Sequence, residues 1–127
     1  MSRIVLDAGA LIGLERNDRQ LWAALKLAVR RGEDVLVPST ALAQVWRGTA
    51  GQALLAMALR HCVIAPFDEL ARAVGELCGR TRTIDICDAH VALVAASGAD
   101  ALYTSDVRDL RVLLAACGKR KPILVPC

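Results

Sequence analysis

The strongest constraint on this chain is an alternation. Short apolar runs recur, at Arg3-Ile4-Val5-Leu6, Asp34-Val35-Leu36-Val37-Pro38, Cys62-Val63-Ile64-Ala65-Pro66, Ala101-Leu102-Tyr103-Thr104 and Ile123-Leu124-Val125. Each carries apolar residues in succession rather than on alternate positions, as a strand buried on both faces does. Between them lie stretches with helical periodicity. Parallel neighbours need crossover connections, and helices supply them. The pattern therefore predicts an α/β fold: a short parallel β-sheet flanked by helices. With 127 residues and no internal repeat, linker or low-complexity tract, the chain reads as one domain over 1–127.

The connecting segments carry helix signals. Asp18 precedes Leu21, Trp22, Leu25, Ala28 and Val29 at amphipathic spacing, and Arg30-Arg31-Gly32 ends that helix. Ser39 or Thr40 is placed to cap a helix through Trp46, ending near Gly48, and Thr49 or Ala50 to open the next. Asp68 should cap a helix from Glu69 to about Leu77, followed by a basic, polar connection over Gly79-Arg80-Thr81-Arg82-Thr83. Asp85 to Ala96 and Asp106 to Cys117 complete the set, ended by Ser97-Gly98 and Gly118.

Composition narrows the function classes. Hydrophobic residues make up 55% but aromatics only 3%, so the core is expected to be aliphatic and a base-stacking platform is disfavoured. The formal net charge of +3 is too small to demonstrate a nucleic-acid partner. The five cysteines are scattered without a C-x-x-C pair, which fits reduced thiols in a cytoplasmic protein better than zinc or disulfides. Asp7 and Glu15 interrupt any signal-peptide core, and no run is long enough to span a membrane.

Parallel sheets place function at the carboxyl ends of their strands. Asp7 ends the first strand, Asp106 follows the fourth, and Asp88 lies in the first turn of the helix before it. Each has a simpler reading: Asp7 and Asp106 as helix caps, Asp88 as an acid near a helix N-terminus. Taken together they fit one site. Adjacent carboxylates oppose one another's ionisation, and a magnesium or manganese ion relieves that with oxygen ligands. Phosphodiester hydrolysis is the chemistry such a site suits. Asp85 and Asp109 lie one turn from members of the set, with Asp85 read first as an N-cap.

The stretches VLDAGALI, DAHVALVA and TSDVRDL resemble the motifs of PIN-domain ribonucleases, and most of all the VapC-like toxins of VapBC toxin–antitoxin systems. The resemblance runs from Ile4 to Val125 in motif order. It implies a PIN-like three-layer domain with an acidic site for Mg2+ or Mn2+ and endoribonuclease activity. It also implies a homodimer and a cognate antitoxin that covers the site. Asp7, Asp88 and Asp106 would then be metal-binding and catalytic. In PSTALAQVWRG the family's usual glutamate is replaced by Gln44, which offers a neutral carbonyl and no charge. Either three aspartates hold the metal with Gln44 assisting, or the chain is a weak or inactive relative that binds RNA or protein. A phosphatase of another parallel-sheet class is disfavoured, since Asp7-Ala8-Gly9 lacks the second acid of D-x-D.

Lesser candidates complete the reading. Ser105 could bond a metal-bound water or hold its turn. Arg47 or Arg108 could meet phosphates, and Glu15-Arg16 defaults to a solvated ion pair. His90 follows Asp88-Ala89, but successive helix residues diverge by about 100 degrees, so it should point away. His61 has no supporting pattern. Cys87 reads as core, and Trp22 and Trp46 as packing or interface residues.

Overall fold

The computed structural model describes residues 2–118 and 121–127. Five strands form one sheet: β1 (Arg3–Leu6), β2 (Asp34–Pro38), β3 (Val63–Ala65), β4 (Ala101–Thr104) and β5 (Ile123–Pro126). All pairings are parallel and the order is β3-β2-β1-β4-β5. Val5 sits between Leu36 of β2 and Leu102 of β4. The chain winds outward from β1 to β3 on one side, then returns to start β4 on the other. That reversal opens a crevice at the carboxyl ends of β1 and β4, where ligands bind in open α/β sheets.

Among the described residues seven α-helices flank the sheet: α1 (Ala8–Glu15), α2 (Arg19–Arg30), α3 (Ser39–Val45), α4 (Ala53–Leu59), α5 (Ala71–Thr81), α6 (Ile86–Ala96) and α7 (Val107–Cys117). Helix α6 packs on α3, α5 and α7 and also touches β1 and β2. Ala89 through Ala92 and Val94 through Ala96 are all buried, so its sequence is apolar all round rather than striped. Helix α2 meets solvent, and only Leu21, Leu25 and Ala28 are buried. Val5, Val35, Val37 and Leu102 form the middle of an aliphatic core with Leu11, Leu14, Leu55, Leu77 and Leu110. No disulfide joins the cysteines, and no helix among the described residues is long and apolar enough to cross a membrane.

Several expected caps form. Asp18 accepts from the Leu21 amide at 3.1 Å and Asp85 from the Asp88 amide at 2.9 Å. Gly118 closes α7 at φ 65°. Others do not. Helix α3 begins directly after Pro38 with no side-chain cap: Ser39 and Thr40 are its first two residues, and the Thr40 hydroxyl is 2.7 Å from His90 Nδ1. It also ends at Val45, short of Gly48. Asp68 opens a 3₁₀ turn without capping it. Helix α5 continues to Thr81, so much of the expected Gly79–Thr83 connection is helical and ends with Arg82 left-handed at φ 58°.

Candidate active site

Asp7 is the first residue beyond β1 and is only 4% exposed. Its backbone continues the ladder, its amide donating to the Tyr103 carbonyl at 3.1 Å. Its carboxylate caps α1, accepting from the Ala10 amide at 2.9 Å. Burial pushes its pKa up; the Thr104 hydroxyl and the amides of Ala10, Ser105 and Gly9 pull it back by favouring the charged form. A carboxylate is thus tolerated at a buried strand end because the surrounding backbone supplies donors.

Thr104 is fully buried at the end of β4. Its hydroxyl interacts with the Asp7 carboxylate and accepts from the Asp106 amide at 2.9 Å. One side chain therefore couples the two strand ends. Gly9 completes the junction: a Cβ at that position would collide with the Ser105 side chain, so the start of α1 and the β4–α7 turn approach closely only because residue 9 is glycine.

Asp106 occupies the N-cap position of α7 without making a side-chain cap bond. Its pKa is raised by desolvation and by the Asp109 carboxyl one turn along, with the Asp109 amide acting in the opposite sense. Asp88 faces them from α6. Its pKa is pushed up to about 7, by burial first and then by Asp85, Asp106 and Asp7. Asp88, Asp106 and Asp109 each offer a carboxylate oxygen, and these atoms all lie within 4.8 Å of one another. That grouping includes Asp109, which the sequence marked only as a neighbour. Asp7 stands outside it but lines an open cleft together with Asp88 and Asp106.

That cleft is lined by Asp7, Asp88, Asp106, Gln44, Ser105 and Asp85, with Ala8, Gly9, Ile12 and Val45. The four residues first singled out, Asp7, Asp88, Asp106 and Gln44, therefore share one depression. Gln44 is exposed on α3. The chain just beyond it is held by a second glutamine, Gln52, which sequence reasoning passed over. Gln52 is 6% exposed. Its Oε1 accepts from the Arg47 and Gly48 amides at 2.7 and 3.0 Å, and its Nε2 donates to Glu15 and to the Val45 carbonyl, each at 2.8 Å. This ties down the chain that leaves α3 and gives Glu15 a partner other than Arg16.

The remaining candidates lie elsewhere. His90 is fully buried on α6, with Phe67 packed edge-on at 5.3 Å and Nε2 without a hydrogen-bond partner. Burial lowers its pKa, opposed by the Pro66 carbonyl, and it does not line the cleft. The partly buried Cys87 thiol is pushed up to about 11, chiefly by burial. The Arg47 guanidinium folds back on the Trp46 carbonyl at 2.8 Å, whereas Arg108 is exposed in the first turn of α7. Trp22 anchors α2 by donating to the Leu14 carbonyl at 3.0 Å, and Trp46 is exposed.

The architecture is a PIN-like three-layer α/β domain with an acidic cleft at the reversal of strand order. Over 98% of its length the chain is similar to a chain of the crystal structure of VapBC2 from Rickettsia felis bound to a DNA fragment from their promoter. The TM-score is 0.70, the identity 16%, and 98% of that chain is covered as well. No family model and no curated protein sequence matches. The likeness is therefore one of fold.

Proposed function

We propose that this chain is a Mg2+- or Mn2+-dependent endoribonuclease. The observation that carries the proposal is the meeting of Asp88, Asp106 and Asp109 within 4.8 Å, with Asp7 lining one cleft with the first two. The donors are all hard oxygens, and burial, reinforced by the neighbouring carboxylates, raises the Asp88 pKa to about 7. A magnesium or manganese ion fits such a set. When bound, the ion would activate water and neutralise charge on the phosphate under attack.

The chain's own residues supply position. Backbone donors fix the Asp7 carboxylate, while Thr104 sets its distance from the β4–α7 turn. Ser105 presents an exposed hydroxyl, and Gln44 offers both a carbonyl and an amide to RNA or water. Hydrolysis in this cleft would leave a 5′-phosphate and a 3′-hydroxyl. RNA cleavage with Mg2+ should be abolished by chelator and reduced about 100-fold or more in Asp7→Asn. Equal cleavage by both proteins would defeat this mechanism.

The biological reading follows the resemblance of the three motifs together with the VapBC2 likeness in fold. In it the chain is the toxin of a type II pair, a cytoplasmic homodimer restrained by an antitoxin that covers the cleft. Co-expression with the product of a short adjacent gene should suppress toxicity and give a stable complex.

Gln44 in the place of an acid supports a second reading, a weak or inactive PIN-like module that binds RNA or protein. Calorimetry with Mn2+ separates them: Gln44→Glu should tighten binding if residue 44 faces the ion. No Mn2+ binding by either protein would favour the module.

A further inference from the structure

The acidic cleft does not end at Asp88. A second cavity of about 200 Å³ lies on its far side, lined by Thr81, Thr83, Asp85, Asp88, Asp109, Val112 and Leu113. Asp85 and Asp88 line both spaces, so the two adjoin with these acids between them. From the second cavity we infer a subsite for one unpaired nucleobase beside the bond to be cut, with guanine preferred. This inference rests on the nuclease reading and adds the specificity of the same site.

The hydrogen-bonding inventory supports it. Thr81 spends its hydroxyl proton on the Leu77 carbonyl at 2.8 Å and keeps acceptor capacity. Thr83 receives the Asp85 amide at 3.1 Å and keeps its proton to give. Asp85 and Asp109 add carboxylate acceptors at the rim. The lining is therefore rich in acceptors, with one hydroxyl donor. Its negative charge disfavours a phosphate. Guanine is the base whose pairing edge carries two adjacent N–H donors beside a carbonyl acceptor. Val112, 58% exposed, and the buried Leu113 give an apolar wall for its ring. The cavity has room for one ring system and not for a base pair, which directs it to single-stranded RNA.

Two measurements test this. In NMR titrations without metal, guanosine should shift the Thr81, Thr83 and Val112 resonances and uridine should not; absence of shifts with both would overturn the subsite. Sequencing of cut ends from a random RNA pool with Mn2+ should show guanosine favoured at one position flanking the cut. Thr83→Val should reduce that preference about tenfold and Thr83→Ser should retain it. An unchanged preference in Thr83→Val would overturn the subsite while leaving the nuclease reading intact. Guanosine shifts without any cleavage by the wild-type protein would overturn the nuclease reading and sustain the base site.

Discussion

The two strand ends that flank the cleft carry the same residue in opposite states. Asp7, after β1, is buried and surrounded by donors. Asp106, after β4, is partly exposed and makes no side-chain cap bond. Both begin a helix, but only the first uses its carboxylate to do so. The difference separates two demands on an acidic centre. One acid is fixed by the fold and gives the site a reference point. The other sits with Asp88 and Asp109 in a cluster of carboxylates that a bound cation would order. A cap and a metal ligand are therefore not competing descriptions of Asp7, because a carboxylate has lone pairs for both.

Substitutions can break this comparison, and the largest effect should come from Asp7. Asp7→Asn keeps an oxygen for the Ala10 amide and should fold, yet lose cleavage as described above. Asp7→Ala should in addition lower stability by about 1–2 kcal/mol through loss of the cap, measured by urea unfolding. Asp106→Ala, with no cap bond to lose, should leave stability within about 0.5 kcal/mol. If both alanine variants were equally destabilised, the contrast between the two ends would fail.

Gly9→Ala attacks the contact between them. The added methyl meets Ser105, and separation of the two turns should cost about 1–3 kcal/mol in thermal unfolding. Gln52→Ala should cost a similar amount, about 1–3 kcal/mol, by stranding the Arg47 and Gly48 amides and the Val45 carbonyl. Gln44→Ala should change stability by less than about 0.5 kcal/mol.

The last comparison is of pH dependence. Asp88 has its pKa raised from 3.8 to about 7 in the folded protein. Between those values the folded state binds the proton more tightly than the unfolded chain, so this group makes stability fall as pH rises toward 7. In chelator, urea midpoints for wild type should decline from pH 5 to pH 7 more than those of Asp88→Asn. Adding Mn2+ at pH 8 should raise the wild-type midpoint and not that of the variant. Equal slopes in chelator would show that Asp88 ionises normally.

Most of the fold was legible in the sequence because its signals are local. Uninterrupted apolar runs identified every strand, while Asp18, Asp85 and Gly118 marked helix ends through bonds spanning a few residues. The failures involve distant partners. Thr40 looks like a cap until His90, fifty positions away, takes its hydroxyl. Gln52 looks like a solvated polar residue until the end of α3 and Glu15 converge on it. The site divides along the same line. Asp7, Asp88 and Asp106 were drawn to one edge by topology, and Gln44 was added only through the resemblance. Asp109 was recognisable only as a residue one helical turn from Asp106, and its approach to Asp88 depends on how α6 and α7 pack. Thr104 was overlooked beside Ser105 because alternation along a strand does not reveal which hydroxyl will be turned inward.

Thr104 has a consequence for how the cleft would respond to its own ionisation. A hydroxyl has a single proton. While that proton is directed at Asp7, the oxygen is free to receive the Asp106 amide, and the two bonds reinforce each other. Protonating Asp7 would leave Thr104 a neutral and weaker acceptor, and so weaken that pairing of bonds. Through one hydroxyl, the charge on one shoulder of the crevice is thus joined to the backbone of the other.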